Sequence, residues 1–125
     1  MKYDRRDDLA FIRWAKQIKV RDHFTCQICD RRGVELHAHH LNAYNWCIEE
    51  RYDLDNGITL CRQHHEDFHS KYEKGNNTRE QFEEYKLFCE ALMKLVQNNN
   101  TTKNIVRNII EICRDDGYAP DGYTA

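Results

Sequence analysis

Four residues with metal-binding side chains occur as two pairs, and the members of each pair are separated by two residues. Cys26 and Cys29 form the first pair, in CQIC, and Cys61 and His64 form the second, in CRQH. A turn that carries one pair and the start of a helix that carries the other can converge tetrahedrally on one ion. Thiolates combined with an imidazole select zinc, and four filled positions are typical of a closed structural site. The spacing therefore predicts a structural zinc site, with buried or redox-active thiols as the alternative.

A group of histidines lies between and beside these pairs. His39 and His40 are adjacent, in ELHAHH, while His65 and His69 are four residues apart, in HHEDFH. Neighbouring residues of a strand point to opposite faces of the sheet, whereas residues four apart on a helix share one face. We therefore expect His39 to join His65 and His69 on one divalent ion, and His40 to lie beside that ion as a base. For each histidine taken alone, an ordinary surface residue is the alternative.

The composition limits the class of protein. A chain of 125 residues that is 40% hydrophobic and 32% charged is typical of one soluble globular domain. No apolar run approaches the roughly 18 residues of a membrane span. The N-terminal residues lack the apolar segment of a secretory signal, so we expect a cytoplasmic protein that does not contact membranes.

The cysteines outside the two pairs need a separate explanation. In a reducing compartment, six cysteines favour metal ligands or buried thiols over a disulfide framework. Cys47, Cys89 and Cys113 have no paired spacing, and we expect them to be small buried hydrophobic residues.

Charge is distributed unevenly along the chain. Residues 1–32 hold nine Lys/Arg and five Asp/Glu, whereas residues 33–125 hold ten and sixteen. A basic N-terminal third could present a phosphate-binding face, and a solvated helix surface is the alternative.

The elements that must position the metal-binding residues follow from hydrophobic periodicity. A first helix is predicted over residues 5–21, and its apolar face comprises Leu9, Ile12, Trp14, Ala15 and Ile18. A tight knuckle then ends at Gly33. Alternation over residues 34–40 predicts a short strand, and ITL, residues 58–60, predicts a second strand after a loop.

Three further helices are predicted in the rest of the chain. The first runs from Cys61 to about Lys74 and ends near Gly75. The next begins after Thr78, which forms a capping box with Gln81. Its predicted apolar face comprises Phe82, Tyr85, Phe88, Leu92, Leu95 and Val96. A polar linker leads to a last helix near residues 102–114.

The segments CQIC, LHAHHLNAYN and DLDNGITLCRQHHEDFH together resemble the HNH endonuclease family. The resemblance covers about residues 20–75, and the preceding WAKQIKVRDHFTC is similar to the helix before the first zinc pair in phage and prophage members. It implies an α+β fold: a small ββα-metal core with a structural zinc knuckle, flanked by an N-terminal helix and C-terminal helices. The nuclease domain would span residues 1–97, and residues 98–125 would form a linker, a C-terminal helix and a tail.

The resemblance also implies catalytic roles. His40 takes the place of the first motif histidine, which is the general base. Asn56 is the motif asparagine, which is expected to brace the loop and orient the base. His65 is the last motif histidine, a ligand of the catalytic metal.

Two more positions match ligands of the catalytic ion in the family. His39 lies where many members have Asp, His or Glu, and His69 matches a further histidine that bacterial-toxin members use. The sequence departs from many zinc-bearing members at His64, where they have the last cysteine of a second CxxC. The implied cofactors are a structural Zn²⁺ and a catalytic Mn²⁺ or Mg²⁺, with Co²⁺ and Ni²⁺ as further candidates.

The implied activity is metal-dependent hydrolysis of phosphodiester bonds in double-stranded DNA. No appended recognition domain is evident, so low sequence specificity is expected. The sequence leaves open whether one or both strands are cut, and whether phage packaging proteins or a second copy of the chain are partners. Candidate contacts to the DNA backbone are Arg21, Arg31, Arg32, Arg51 and Arg62. The competing hypotheses are a non-catalytic zinc module that binds DNA and an interaction protein built on the C-terminal helices.

Overall fold

The computed structural model describes residues 8–97 and residue 107 of the chain. These residues form three α-helices and a two-stranded antiparallel sheet, which confirms the α+β class. The elements are α1 (Leu9–Arg21), β1 (Leu36–His40), β2 (Gly57–Cys61), α2 (Arg62–Lys71) and α3 (Arg79–Gln97), with short 3₁₀ turns at Ile48–Glu50 and Leu54–Asn56.

The helix predicted near residues 102–114, with Cys113, lies outside the described residues except for Arg107. Within the described part, no helix has the length and apolar character that a membrane crossing requires.

Helix α1 packs against the start of β2. Its first residue is Leu9, because the Asp8 side chain caps it by accepting a hydrogen bond of 2.8 Å from the Ala10 amide. Trp14 and Ile18 are buried, whereas Leu9 and Ile12 are exposed, so the predicted apolar face is too wide. The buried stripe is narrow: Trp14 stacks on His40 of β1, and both Trp14 and Ile18 approach Gly57 of β2.

The hairpin carries one residue of each predicted metal-binding set, His39 on β1 and Cys61 on β2. Leu36 pairs with Cys61 at one end, and His40 pairs with Gly57 at the other. Strand β1 begins two residues later than predicted. The knuckle is fastened to β2 by a hydrogen bond of 3.0 Å from the Gln27 amide to the Thr59 carbonyl.

The predicted end of α2 is wrong by three residues. The helix ends at Lys71 because Tyr72 has extended backbone angles, rather than continuing to Lys74. The inner face of α2 contributes Phe68, which is completely buried in the main core with Leu60 and Phe82.

The start of α3 confirms the predicted capping box. The Gln81 amide donates to the Thr78 hydroxyl at 3.3 Å, and the Thr78 amide donates to the Gln81 side chain at 3.0 Å. The predicted apolar face is correct in part. Phe82, Tyr85, Cys89 and Val96 are buried, but Phe88, Leu92 and Leu95 are exposed. The buried stripe passes through Cys89 instead of Phe88, because α3 lies on the core rotated by about one residue from the face predicted.

Gly57 lies where α1 approaches the sheet most closely. A Cβ atom there would lie 2.5 Å from Trp14 Cζ2 and 2.6 Å from Ile18 Cδ1. We therefore expect Gly57→Ala to lower the free energy of unfolding by roughly 1–3 kcal/mol, as overpacking of a filled core does. Urea unfolding measures this. Ile48→Ala, at an exposed position, is the control and should change stability by less than about 0.5 kcal/mol. Wild-type stability of Gly57→Ala would contradict the close packing.

Candidate metal centres

The first candidate centre is the quartet of Cys26, Cys29, Cys61 and His64. The Cys29 and Cys61 sulfurs are 3.8 Å apart. His64 Nδ1 is 3.3 Å from the Cys61 sulfur and 3.9 Å from the Cys26 sulfur. Tetrahedral ligands of zinc, at about 2.3 Å for sulfur and 2.0–2.1 Å for nitrogen, lie about 3.4–3.8 Å from each other. The four side chains can therefore hold a metal such as zinc, with the ligand set that the sequence predicts.

Local structure explains why these four side chains meet. The knuckle carries the first two cysteines against β2, and Cys61 is both the last residue of β2 and the N-cap of α2. The Cys61 sulfur accepts a hydrogen bond of 3.5 Å from the His64 amide, which fixes it over the first helical turn. Cys26 and Cys61 are completely buried. The centre thus ties the knuckle, the hairpin and α2 together.

The side chains of the quartet share hydrogen bonds and thereby shift one another's pKa values. Hydrogen bonds from Cys29 and Cys61 lower the pKa of the Cys26 thiol, and the hydrogen bond with Cys26 raises the pKa of Cys29. Burial opposes a charged His64, but hydrogen bonds to the Cys26 and Cys61 sulfurs outweigh burial and raise the pKa of His64 to about 9. Metal coordination requires thiolates and a neutral imidazole, so an ion must displace protons from this group.

The second candidate centre is formed by His39, His65 and His69. Their ligand atoms all lie within 4.8 Å of one another. The Nε2 atoms of His65 and His69 are 3.2 Å apart, and two nitrogens each about 2.1 Å from one ion would lie about 3.0–3.4 Å apart. His39 Nε2 is buried without a hydrogen-bond partner. Burial also lowers the pKa of His39 well below its usual value, which keeps the imidazole neutral as a metal ligand must be.

An unpartnered buried nitrogen is costly unless something satisfies it. Leaving a buried polar atom without a partner costs about 1–3 kcal/mol. A metal ion between His39, His65 and His69 would accept the His39 lone pair and remove that cost. The residues present therefore fit a divalent ion.

His40 points away from this group, as strand alternation predicts. Its ring stacks on Trp14, with ring centroids 3.8 Å apart and planes at 13°. Its Nε2 lies 2.8 Å from the Arg51 carbonyl oxygen. A carbonyl can only accept, so Nε2 carries the proton and Nδ1 holds the lone pair. His40 is therefore fixed in orientation and tautomer with Nδ1 as its basic atom.

Asn56 is completely buried at the end of the loop between the strands. Its side-chain amide donates to the carbonyls of Asn42 at 2.9 Å and Glu50 at 3.1 Å, and its oxygen accepts from the Asn42 amide at 2.8 Å. Three hydrogen bonds thus hold both ends of this loop, which carries Arg51 and hence the carbonyl that contacts His40.

The histidines line an open cleft of about 1110 Å³, whereas the quartet does not. His39, His40, His65 and His69 are on its wall. Arg51 and Lys74 bring positive charge to the same cleft. The two centres therefore differ in position: the histidine group lines the cleft, and the Cys/His quartet lies outside the cleft lining.

The predicted phosphate-contacting arginines are placed differently from one another. Arg51 lines the cleft, and its guanidinium lies 4.1 Å above the Tyr44 ring. Arg21 donates to the carbonyls of Leu54 at 2.6 Å and Gly57 at 2.8 Å, so it holds the loop against α1. The other three lie outside the cleft lining: Arg31 contacts Gln63 at 3.3 Å, Arg32 is exposed and Arg62 is half-buried.

His37 has no role in the site predicted from the sequence, although it lies in the same cleft. Its Nδ1 is 2.6 Å from His65 Nδ1. Its position two residues before His39 could have indicated that it belongs to the site, because residues two apart on a strand share one face.

No family model, curated protein or solved structure matches this chain. The chemistry of the two centres is therefore the basis for a functional proposal.

Proposed function

We propose that the protein is a divalent-metal-dependent endonuclease of the HNH type that hydrolyses phosphodiester bonds in DNA with low sequence specificity. The observation that carries the proposal is one open cleft that holds both a three-histidine group fitted to an ion and a separate histidine base. The cleft also carries Arg51 and Lys74, which suit a phosphate-bearing substrate. A non-catalytic zinc module has no need for a buried, unpartnered His39 or an oriented His40.

The quartet is assigned a structural zinc ion. Its four ligands come from the knuckle, β2 and α2, and none of the four lines the cleft. Cys26 and Cys61 are completely buried. A catalytic zinc site keeps a position open for water or substrate, whereas this group fills four positions with protein ligands.

A divalent ion bound by His39, His65 and His69 would supply charge stabilisation at the scissile phosphate. The protein supplies the base. His40 takes a proton from the attacking water at Nδ1, while the Arg51 carbonyl holds the proton on Nε2. Stacking on Trp14 fixes the plane of the ring. Asn56 holds the loop that positions the carbonyl.

The direct test is conversion of supercoiled plasmid by the zinc-loaded full-length chain. We expect nicked or linear product with Mn²⁺ or Mg²⁺ and no product without an added ion. The ratio of nicked to linear product reports whether one or both strands are cut. A preparation that shifts DNA in a gel yet converts no plasmid with any ion would contradict the proposal and favour a zinc-dependent binding module.

Alanine at each histidine of the second centre should weaken binding of the catalytic ion without releasing the structural zinc. For His39→Ala, His65→Ala and His69→Ala we expect the Mn²⁺ concentration at half-maximal cleavage to rise by at least about 10-fold. The wild-type rate should be higher with Mn²⁺ than with Mg²⁺, because magnesium prefers oxygen ligands. Metal titration of the cleavage rate and elemental analysis for zinc measure both effects.

His64→Ala is the matched control, since it is adjacent to His65 on α2 but belongs to the quartet. It should lose zinc. If His65→Ala released the zinc while His64→Ala kept it, the assignment of these two neighbours would be reversed. Normal cleavage by all three variants of the second centre would eliminate that centre.

A further inference from the structure

Glu35 and His37 form a hydrogen-bonded chain that ends at one of the proposed metal ligands. Glu35 Oε2 is 2.7 Å from His37 Nε2. His37 Nδ1 is 2.6 Å from His65 Nδ1. The opposite nitrogen of the His65 ring, Nε2, lies 3.2 Å from His69 Nε2. The carboxylate, two imidazoles and the centre are thus connected in sequence.

The proton on each ring of this chain is determined by its neighbours. A carboxylate only accepts, so His37 Nε2 carries a proton and donates it to Glu35. When the His37 ring is neutral, its lone pair is at Nδ1, which accepts from the Nδ1–H of His65. His65 is left with its lone pair on Nε2, the nitrogen that lies beside His69. With His37 neutral, this arrangement of protons satisfies the chain and presents His65 as a ligand.

We infer that Glu35 and His37 are positioning residues that orient His65 and strengthen its bond to the catalytic ion. The inference rests on the proposed function, because it concerns the same divalent centre. A hydrogen bond to the distal N–H of a ligating imidazole fixes its tautomer and increases the electron density on the bound nitrogen. Loss of such an outer partner typically costs 10–100-fold in metal affinity.

His37 is placed to act through His65 and not as a ligand. Besides the quartet, the group in the described residues whose ligand atoms lie close enough to share an ion comprises His39, His65 and His69. His37 approaches the Nδ1 side of the His65 ring, and the two nitrogens of an imidazole point in different directions. An ion on His65 Nε2 is therefore on the far side of that ring from His37.

The test uses Co²⁺ as a spectroscopic probe of the full-length chain after its quartet has been loaded with Zn²⁺. Titration followed by visible absorption gives the Co²⁺ affinity of the second centre. We expect His37→Leu to weaken it by 10–100-fold and Glu35→Gln to weaken it by about 10-fold. His37→Gln keeps an acceptor for the His65 N–H, so its Co²⁺ affinity should fall by less than that of His37→Leu. Zinc content and melting temperature should stay at wild-type values.

Glu66→Gln is the control for charge, since Glu66 is an exposed carboxylate in the lining of the same cleft. It should leave the Co²⁺ affinity unchanged. Wild-type affinity in both Glu35→Gln and His37→Leu would overturn the inference and leave the nuclease proposal standing. If His37→Leu changed the absorption spectrum as the loss of a nitrogen ligand does, His37 would be a direct ligand and the inference would be wrong. If the wild-type chain bound no Co²⁺ at a second centre, the proposed function would fail together with the inference.

Discussion

His40→Ala is expected to lose about 10²–10⁴-fold in cleavage rate, the contribution that a positioned general base makes. Its Mn²⁺ affinity and zinc content should remain those of the wild-type chain, because His40 belongs to neither ligand group. The Arg51 carbonyl fixes Nε2–H and leaves Nδ1 as the atom that can take a proton from water. The measurement is the rate of plasmid nicking at saturating Mn²⁺.

Two further variants separate loss of the base from loss of packing. The His40 ring is buried and stacked on Trp14, so alanine also removes core contacts. His40→Phe keeps an aromatic ring against Trp14, and His40→Gln keeps a donor for the Arg51 carbonyl. Both lack a nitrogen that is basic near neutral pH, and both should be as inactive as His40→Ala. Substantial nicking by any of the three clean preparations would remove His40 from the mechanism.

The pairs within each ligand group could be predicted from sequence because the geometry of each pair is local. Cys61 and His64 lie in one helical turn, and His65 and His69 are one turn apart on the neighbouring face. His39 and His40 must diverge because they are adjacent on a strand. The capping box at Thr78 is equally local. Each of these predictions depends on the period of a single element, which the chain itself encodes.

Features that depend on contacts between elements were predicted less well. Cys89 instead of Phe88 faces the core because of how α3 lies on it, whereas the prediction favoured Phe88, the larger apolar residue. Arg21 was predicted to contact phosphate, yet its donors pair with the Asp22 carboxylate and with the carbonyls of Leu54 and Gly57. The contact between His37 and His65 depends on where α2 lies relative to β1. In all three cases, the packing of one element against another determines what the side chain contacts.

Cys61→Ser is expected to unfold the core and not merely to weaken one site. A structural zinc site contributes about 10–16 kcal/mol of apparent binding free energy, which exceeds the roughly 5–15 kcal/mol stability of a typical domain. Cys61 also ends β2, caps α2 and is completely buried. Cys26→Ser should behave in the same way, since it removes the anchor of the knuckle. Thermal unfolding followed by circular dichroism, with elemental analysis for zinc, measures the effect.

Cys47→Ser is the matched control for loss of a buried thiol. Cys47 is buried but outside the quartet, and its sulfur donates to Glu50 Oε2 at 3.1 Å, a contact that a hydroxyl can also make. This variant should retain zinc and melt within a few degrees of the wild-type chain. The comparison isolates the metal, because both substitutions exchange the same atoms at buried positions. A soluble Cys61→Ser protein that lacks zinc and melts at the wild-type temperature would show that the quartet does not hold the fold together.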